Sequence, residues 1–175
     1  QPYVYMARQE KERALIKTIV KAGLCPVSDK RVLEIGCGFG SNLLKLIEFG
    51  FHPENLVANE LLPDRVQGAR KRLPQLVQVI PGDALELDFP INSFDIVLQF
   101  TVFTSLLDPG FQHKLADKMW QLIKPGGALF GMIFCIIIPL IRMFKECRLN
   151  GSRRCSHRVL LRRGKSPWHH QSAGA

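Results

Sequence analysis

The sequence predicts an α/β domain in which a parallel sheet carries helices on both faces, and three observations lead there. Apolar runs of strand length alternate with segments whose apolar residues fall at helical spacing. The first run leads into glycine at every second position, Gly36, Gly38 and Gly40. Later runs end in Asn59-Glu60 and in Pro81-Gly82-Asp83, and folds of this kind bind ligands at the carboxyl ends of their strands.

The elements follow in order. From Met6 to Ala22, Ala14, Leu15, Ile19 and Val20 lie at helical spacing among charged residues, with Gly23 as a stop. Val32 to Ile35 is the first strand, and helical spacing resumes from Asn42 to Phe49. Leu56 to Asn59 reads as a second strand, Pro63 suits a first helical position, and the helix through Val66 to Leu73 stops at Pro74. Leu76 to Ile80 and Phe94 to Phe100 are the third and fourth strands. Asp108-Pro109 is a cap and start for a helix that Lys124-Pro125-Gly126-Gly127 ends, and Ala128 to Phe134 is the fifth strand.

At 175 residues and 46% hydrophobic composition, the chain has enough apolar content for one globular domain. The net charge of +9 is unevenly placed: Gln1 to Phe130 carries 15 Lys+Arg against 14 Asp+Glu, whereas Gly131 to Ala175 carries 9 against Glu146 alone. A nucleic-acid partner is therefore disfavoured, since the sheet-forming part lacks a basic, aromatic recognition stripe. Five cysteines at irregular spacings do not make a secreted disulfide framework, and no basic head with an apolar stretch opens the chain. A reducing, cytoplasmic setting is expected. The apolar run from Ala128 to Ile141 is interrupted by Gly131 and Pro139 and falls short of the roughly 20 residues that span a bilayer.

Glycine at 36, 38 and 40 lets a ligand lie directly on the backbone. Dinucleotide-binding loops place the third glycine three residues after the second, and here it comes after two, which argues against a nicotinamide or flavin. Glu60, at the end of the second strand, can accept hydrogen bonds from both hydroxyls of a ribose lying over that loop. Asp83 can accept from an adenine amino group, or can simply close an Asx turn. Cys37 lies between glycines without a base nearby and is read as a small loop residue, not a nucleophile. His52 and His113 are read as solvated. Cys147, Cys155, His157, His169 and His170 lack paired ligand spacing, so no metal site is expected.

Val32 to Gly40, Asn59-Glu60, Gly82-Asp83-Ala84, Phe94-Asp95-Ile96-Val97 and Leu122 to Gly127 together resemble the ordered motifs of class I S-adenosylmethionine-dependent methyltransferases. The resemblance covers about three quarters of the chain and implies a Rossmann-like fold with S-adenosylmethionine as cofactor. It implies that the methionine end lies by Glu34, Gly36 and Gly38, within the loop that includes Cys37 and Gly40. The ribose would lie on Glu60 and the adenine against Leu61, Asp83 and Ala84. Methyl transfer is an in-line displacement that depends chiefly on alignment, so no obligatory catalytic residue is expected. Gln99, Phe100 and Thr101, ending the fourth strand, are candidates for lining the site beside the methyl group, with Gln99 also counted among the cofactor contacts.

The domain organisation expected is a cofactor-binding domain over 1–134 and an atypical basic tail over 135–175. The abrupt change of composition beyond Phe130 is what the loss of one nucleotide near Leu129 to Gly131 would produce, and a reading one base earlier continues without a stop for a suitable choice of codons. On that reading the C-terminal strands of the sheet are incomplete. Three functions compete: a methyltransferase acting on a small-molecule acceptor, a relative that binds the cofactor without turnover, and a nucleic-acid methyltransferase.

Overall fold

The computed structural model describes residues 2–133 and 136–139. The readings made for Cys135, Cys147, Cys155, His157, His169 and His170, and for the change of frame in the tail, lie outside the described residues. Residues Gln1–Leu140 form one compact unit, so a short strand beyond Phe134 shares the sheet of the domain expected to end there.

The strands are β1 (Val32–Ile35), β2 (Leu56–Glu60), β3 (Gln78–Pro81), β4 (Phe94–Phe100), β5 (Ile123–Ile133) and β6 (Ile136–Pro139), and they lie in the order β3-β2-β1-β4-β5-β6. All pairs are parallel except β5 with β6. Every residue of β1 and β2 is buried, as is nearly all of β4. Such burial of alternate residues alike means that both sheet faces are covered. The helices that cover them are α1 (Pro2–Lys21), α2 (Ser41–Glu48), α3 (Pro63–Arg72), α4 (Val102–Ser105) and α5 (Pro109–Leu122).

Each long helix offers a narrow apolar stripe, as its sequence spacing requires. Leu15 and Ile19 are buried from α1, Leu43 and Leu46 from α2, Val66 and Ala69 from α3, and Leu115, Met119 and Leu122 from α5. Asp108 caps α5 by accepting from Gly110 N at 2.8 Å, with Pro109 at its first turn. The short α4 carries too few residues to show a period and was not expected.

After β1 the chain builds outward through β2 and β3, then returns across the sheet to place β4 on the other side of β1. The order of build-up thus reverses between β1 and β4, and the crevice at the carboxyl ends of strands flanking such a reversal is where open α/β sheets bind ligands.

Asp95, near the start of β4, fastens the opposite end. Its Oδ2 accepts from Arg31 N at 2.9 Å and from Lys124 Nζ at 2.8 Å. The Arg31 guanidinium lies over the Phe94 and Phe89 rings, 4.8 and 5.5 Å from their centroids. The expected turn at Lys124 to Gly127 is a bulge within β5, because Ile123 pairs with Phe94 and the next pair is Ala128 with Ile96. A Cβ on Gly127 would stand 2.7 Å from Asp95 O and 3.0 Å from Lys124 O. Only a residue without one lets the bulge rest on the β4 backbone.

Gly127→Ala should therefore destabilise the fold by about 1–3 kcal/mol, since the clash is with backbone that cannot turn aside. Urea unfolding monitored by circular dichroism measures this, and an unchanged midpoint would mean the bulge tolerates a side chain.

Candidate functional site

The carboxyl end of β2 ties the neighbouring loops together. Asn59 O accepts from Cys37 N at 3.0 Å, and Glu60 Oε2 accepts from Gly38 N at 2.8 Å. On the other side, Glu60 O accepts from Gly82 N at 3.0 Å, and the Asn59 side-chain amide donates to Gly82 O at the same distance. Glu60 Oε1 accepts from Leu62 N at 3.0 Å, which turns the chain toward α3. The glycine loop after β1 and the turn after β3 thus share one anchor.

Glu60 is buried, yet a carboxylate accepts about four hydrogen bonds and the structure assigns it two. Each oxygen retains an acceptor direction. Leu61 is 64% exposed beside it, an apolar surface of the kind a flat heteroaromatic ring covers. Asp83 closes the Asx turn that was one of its two readings, with Oδ1 accepting from Leu85 N at 2.9 Å, and Ala84 is buried behind it.

The glycines of the loop serve different ends. Gly36, at φ 67°, faces Val102, whose Cγ2 would lie 2.5 Å from an added Cβ, so the loops after β1 and β4 meet there. Gly38, at φ 58°, has nothing within 4 Å of where a Cβ would be. Its open side leaves the room a ligand needs against backbone. Gly40 begins α2 and packs on Leu73.

Glu34 is fully buried at the carboxyl end of β1. Asn42 Nδ2 donates to its Oε1 at 2.6 Å, while Oε2 is buried with no hydrogen-bond partner from the protein. Burial pushes its pKa up to about 8; the Asn42 hydrogen bond and the Lys11 charge oppose that rise, and Glu60 adds to it. Cys37 is driven up to about 12, first by burial and then by Glu34 and Glu60, so its thiol stays protonated.

Gln99 does not present its carbonyl oxygen to the crevice. Oε1 accepts from Val102 N at 3.1 Å and from Phe103 N at 3.4 Å, capping α4. Thr101 sits at φ 66°, a left-handed conformation that costs a β-branched residue roughly 1–3 kcal/mol. Thr104 and Ser105 hydroxyls donate to Thr101 O, and Gln112 Nε2 donates to Leu106 O. Phe100 is buried, and Thr101 is exposed. Asn42 and Lys11 were not among the expected site residues; no local motif marks them.

A groove of about 280 Å³ lies near β3, lined by Arg70, Leu73, Pro74, Gln75, Val77 and Val79. It contains no acid and none of the glycine loop. Among the described residues, no group of three or more His, Cys, Asp or Glu could hold a metal ion. Among them also, no helix is long and apolar enough to cross a membrane.

The methyltransferase-domain family matches residues 32–127, more than half of the chain. The chain belongs to that family, the class I S-adenosylmethionine-dependent methyltransferases. It is 35% identical over 107 residues to a fatty-acid O-methyltransferase of Mycolicibacterium smegmatis, a match covering 61% of this chain and 38% of the relative. It is 28% identical over 108 residues to the tRNA N(3)-methylcytidine methyltransferase Mettl2 of Drosophila melanogaster, covering 57% of this chain and 33% of the relative. The crystal structure of an S-adenosylmethionine-dependent methyltransferase from Methanosarcina mazei superposes with a TM-score of 0.53 at 25% identity, over 59% of this chain and 52% of that one. The chain thus spans well under two thirds of the length of these relatives.

Glu34 sets a pH dependence in the ligand-free protein. Its folded pKa lies above the value of 4.5 taken for the unfolded chain, so the native state binds the extra proton and stability falls as pH rises from about 4.5 to about 8. Glu34→Gln abolishes this slope, and between pH 5 and pH 8 the variant should gain on the wild type by roughly 1 kcal/mol or more. Urea midpoints at the two pH values test it; parallel profiles would show that Glu34 titrates as an exposed acid.

Proposed function

We propose that this chain is the cofactor-binding core of an S-adenosylmethionine-dependent methyltransferase that acts on a small-molecule acceptor. The observation that carries the reading is the convergence, at the ends of β1 and β2, of an unpartnered buried carboxyl oxygen on Glu34, an open backbone surface at Gly38 and a partly engaged carboxylate on Glu60. These groups fit the cofactor in chemical terms. Glu34 would receive the amino group of the methionine end, Gly36 to Gly40 would support that end, and Glu60 would receive the ribose hydroxyls. Leu61 and Ala84 would flank the adenine, and Asp83 retains Oδ2 for its amino group.

The bound cofactor supplies a methyl group on a positively charged sulfur. What the protein contributes is placement. Gln99 holds α4 against the end of β4, and Thr101 is fixed in its strained turn, so the wall beside Phe100 is set before an acceptor arrives. The protonated Cys37 does not compete as a nucleophile.

The near-neutral charge up to Phe130 supports a small-molecule acceptor, as does the fatty-acid methylating relative. A tRNA acceptor is the second reading, favoured by the Drosophila relative; it entails steep loss of binding with salt. The odd number and irregular spacing of the five cysteines support a reducing, cytoplasmic setting.

Incubating the chain with methyl-tritiated S-adenosylmethionine and with separate lipid, polar-metabolite and tRNA pools tests the function. Label should enter a small-molecule pool, and Gly38→Arg, which fills the open surface, should reduce incorporation by about 100-fold or more. Label appearing only in tRNA would transfer the activity to the second reading. A folded wild type that labels nothing would remove the catalytic claim.

A further inference from the structure

Lys11 stands where α1 reaches the carboxyl end of the sheet. Its ammonium donates to Asn42 Oδ1 at 2.8 Å and lies 4.2 Å from the centroid of the Phe100 ring. Asn42, in the first turn of α2, donates in turn to Glu34 Oε1 at 2.6 Å. The amide is thereby oriented from both ends, with its oxygen toward a cation and its nitrogen toward an acid. Three elements meet in one polar line that ends at the unpartnered Glu34 Oε2.

The cation and the acid are held apart by the amide between them. An amide sets an acceptor oxygen and a donor nitrogen side by side, and an α-amino acid sets its carboxylate and ammonium in the same order over a similar reach. The surroundings that suit the oxygen and the nitrogen of Asn42 therefore also suit a zwitterion: a cation for its carboxylate, an acid for its ammonium. Both contacts would be charge-assisted, and Glu34 is shielded from water, where such contacts are strongest.

We propose that Lys11 and Glu34 form a two-ended clamp for the amino-acid end of the cofactor, Lys11 receiving the carboxylate and Glu34 the ammonium, so that α1 is part of the cofactor site. The inference rests on the cofactor reading given above. It gives α1 a role beyond the apolar packing of Leu15 and Ile19.

Calorimetric titration of the full chain separates the clamp from a merely structural lysine. The ligands are S-adenosylhomocysteine, which carries both charges; decarboxylated S-adenosylhomocysteine, which keeps only the ammonium; and 5′-methylthioadenosine, which has neither. Lys11→Met should weaken S-adenosylhomocysteine by about 10- to 100-fold. The other two ligands should hold within about twofold, and Lys11→Arg should retain most of the S-adenosylhomocysteine affinity. Equal weakening of all three ligands would make Lys11 a packing residue. Unchanged or tighter binding of S-adenosylhomocysteine to Lys11→Met would also overturn the clamp, the tighter case marking Lys11 as a cation the ligand has to displace. A wild type that binds 5′-methylthioadenosine and S-adenosylhomocysteine equally would overturn the clamp alone. A folded wild type that binds none of the three would overturn the cofactor reading itself.

Discussion

The site depends on the two residues that end β2. Asn59 and Glu60 use backbone and side-chain groups together to hold the loop after β1 on one side and the turn after β3 on the other. Parallel strands deliver their loops to the same edge of a sheet, but nothing in the strand ladder fixes those loops relative to one another. Here a buried carboxylate does so, by accepting the Gly38 and Leu62 N–H groups. Hydrogen bonds to a charged acceptor are about twice as strong as neutral ones, so the glycine loop is shaped without a ligand.

The sheet has two ends with different duties. Asp95, Lys124, Arg31 and Gly127 lock the start of β4 through an ion pair, a backbone hydrogen bond and a close backbone contact. Asp95, Lys124 and Gly127 belong to the ordered motifs named above, yet they lie at the end remote from the glycine loop. The opposite end holds an acid without a full set of partners, an open glycine and a threonine in left-handed geometry. Stable folds concentrate such costly features where function requires them.

The parallel sheet, its helices and the loop from Gly36 to Gly40 were legible because their signals are local: apolar runs, glycine spacing, and the cap and proline at Asp108-Pro109. Glu60 and Asp83 were legible as acids at strand ends, though not the backbone groups they would hold. Lys11 and Asn42 were not, since each looks like an ordinary polar residue on a helix and they meet only across 31 positions of chain. Gln99 was expected at the crevice, and its carbonyl instead caps α4, a short element with no periodic signal. At Lys124 to Gly127 the turn residues were visible. That the chain remains within β5 there depends on how closely Gly127 approaches Asp95, which spacing does not encode.

Backbone amide shifts of the ¹⁵N-labelled chain, recorded while S-adenosylhomocysteine is added, test the central claim most directly. The account predicts the largest changes at Gly36 to Gly40, at Leu61 and Leu62, and at Gly82 to Leu85, the segments joined through Asn59 and Glu60. Changes centred instead on the Arg70 to Val79 groove, or no change in a folded chain at saturating ligand, would contradict it.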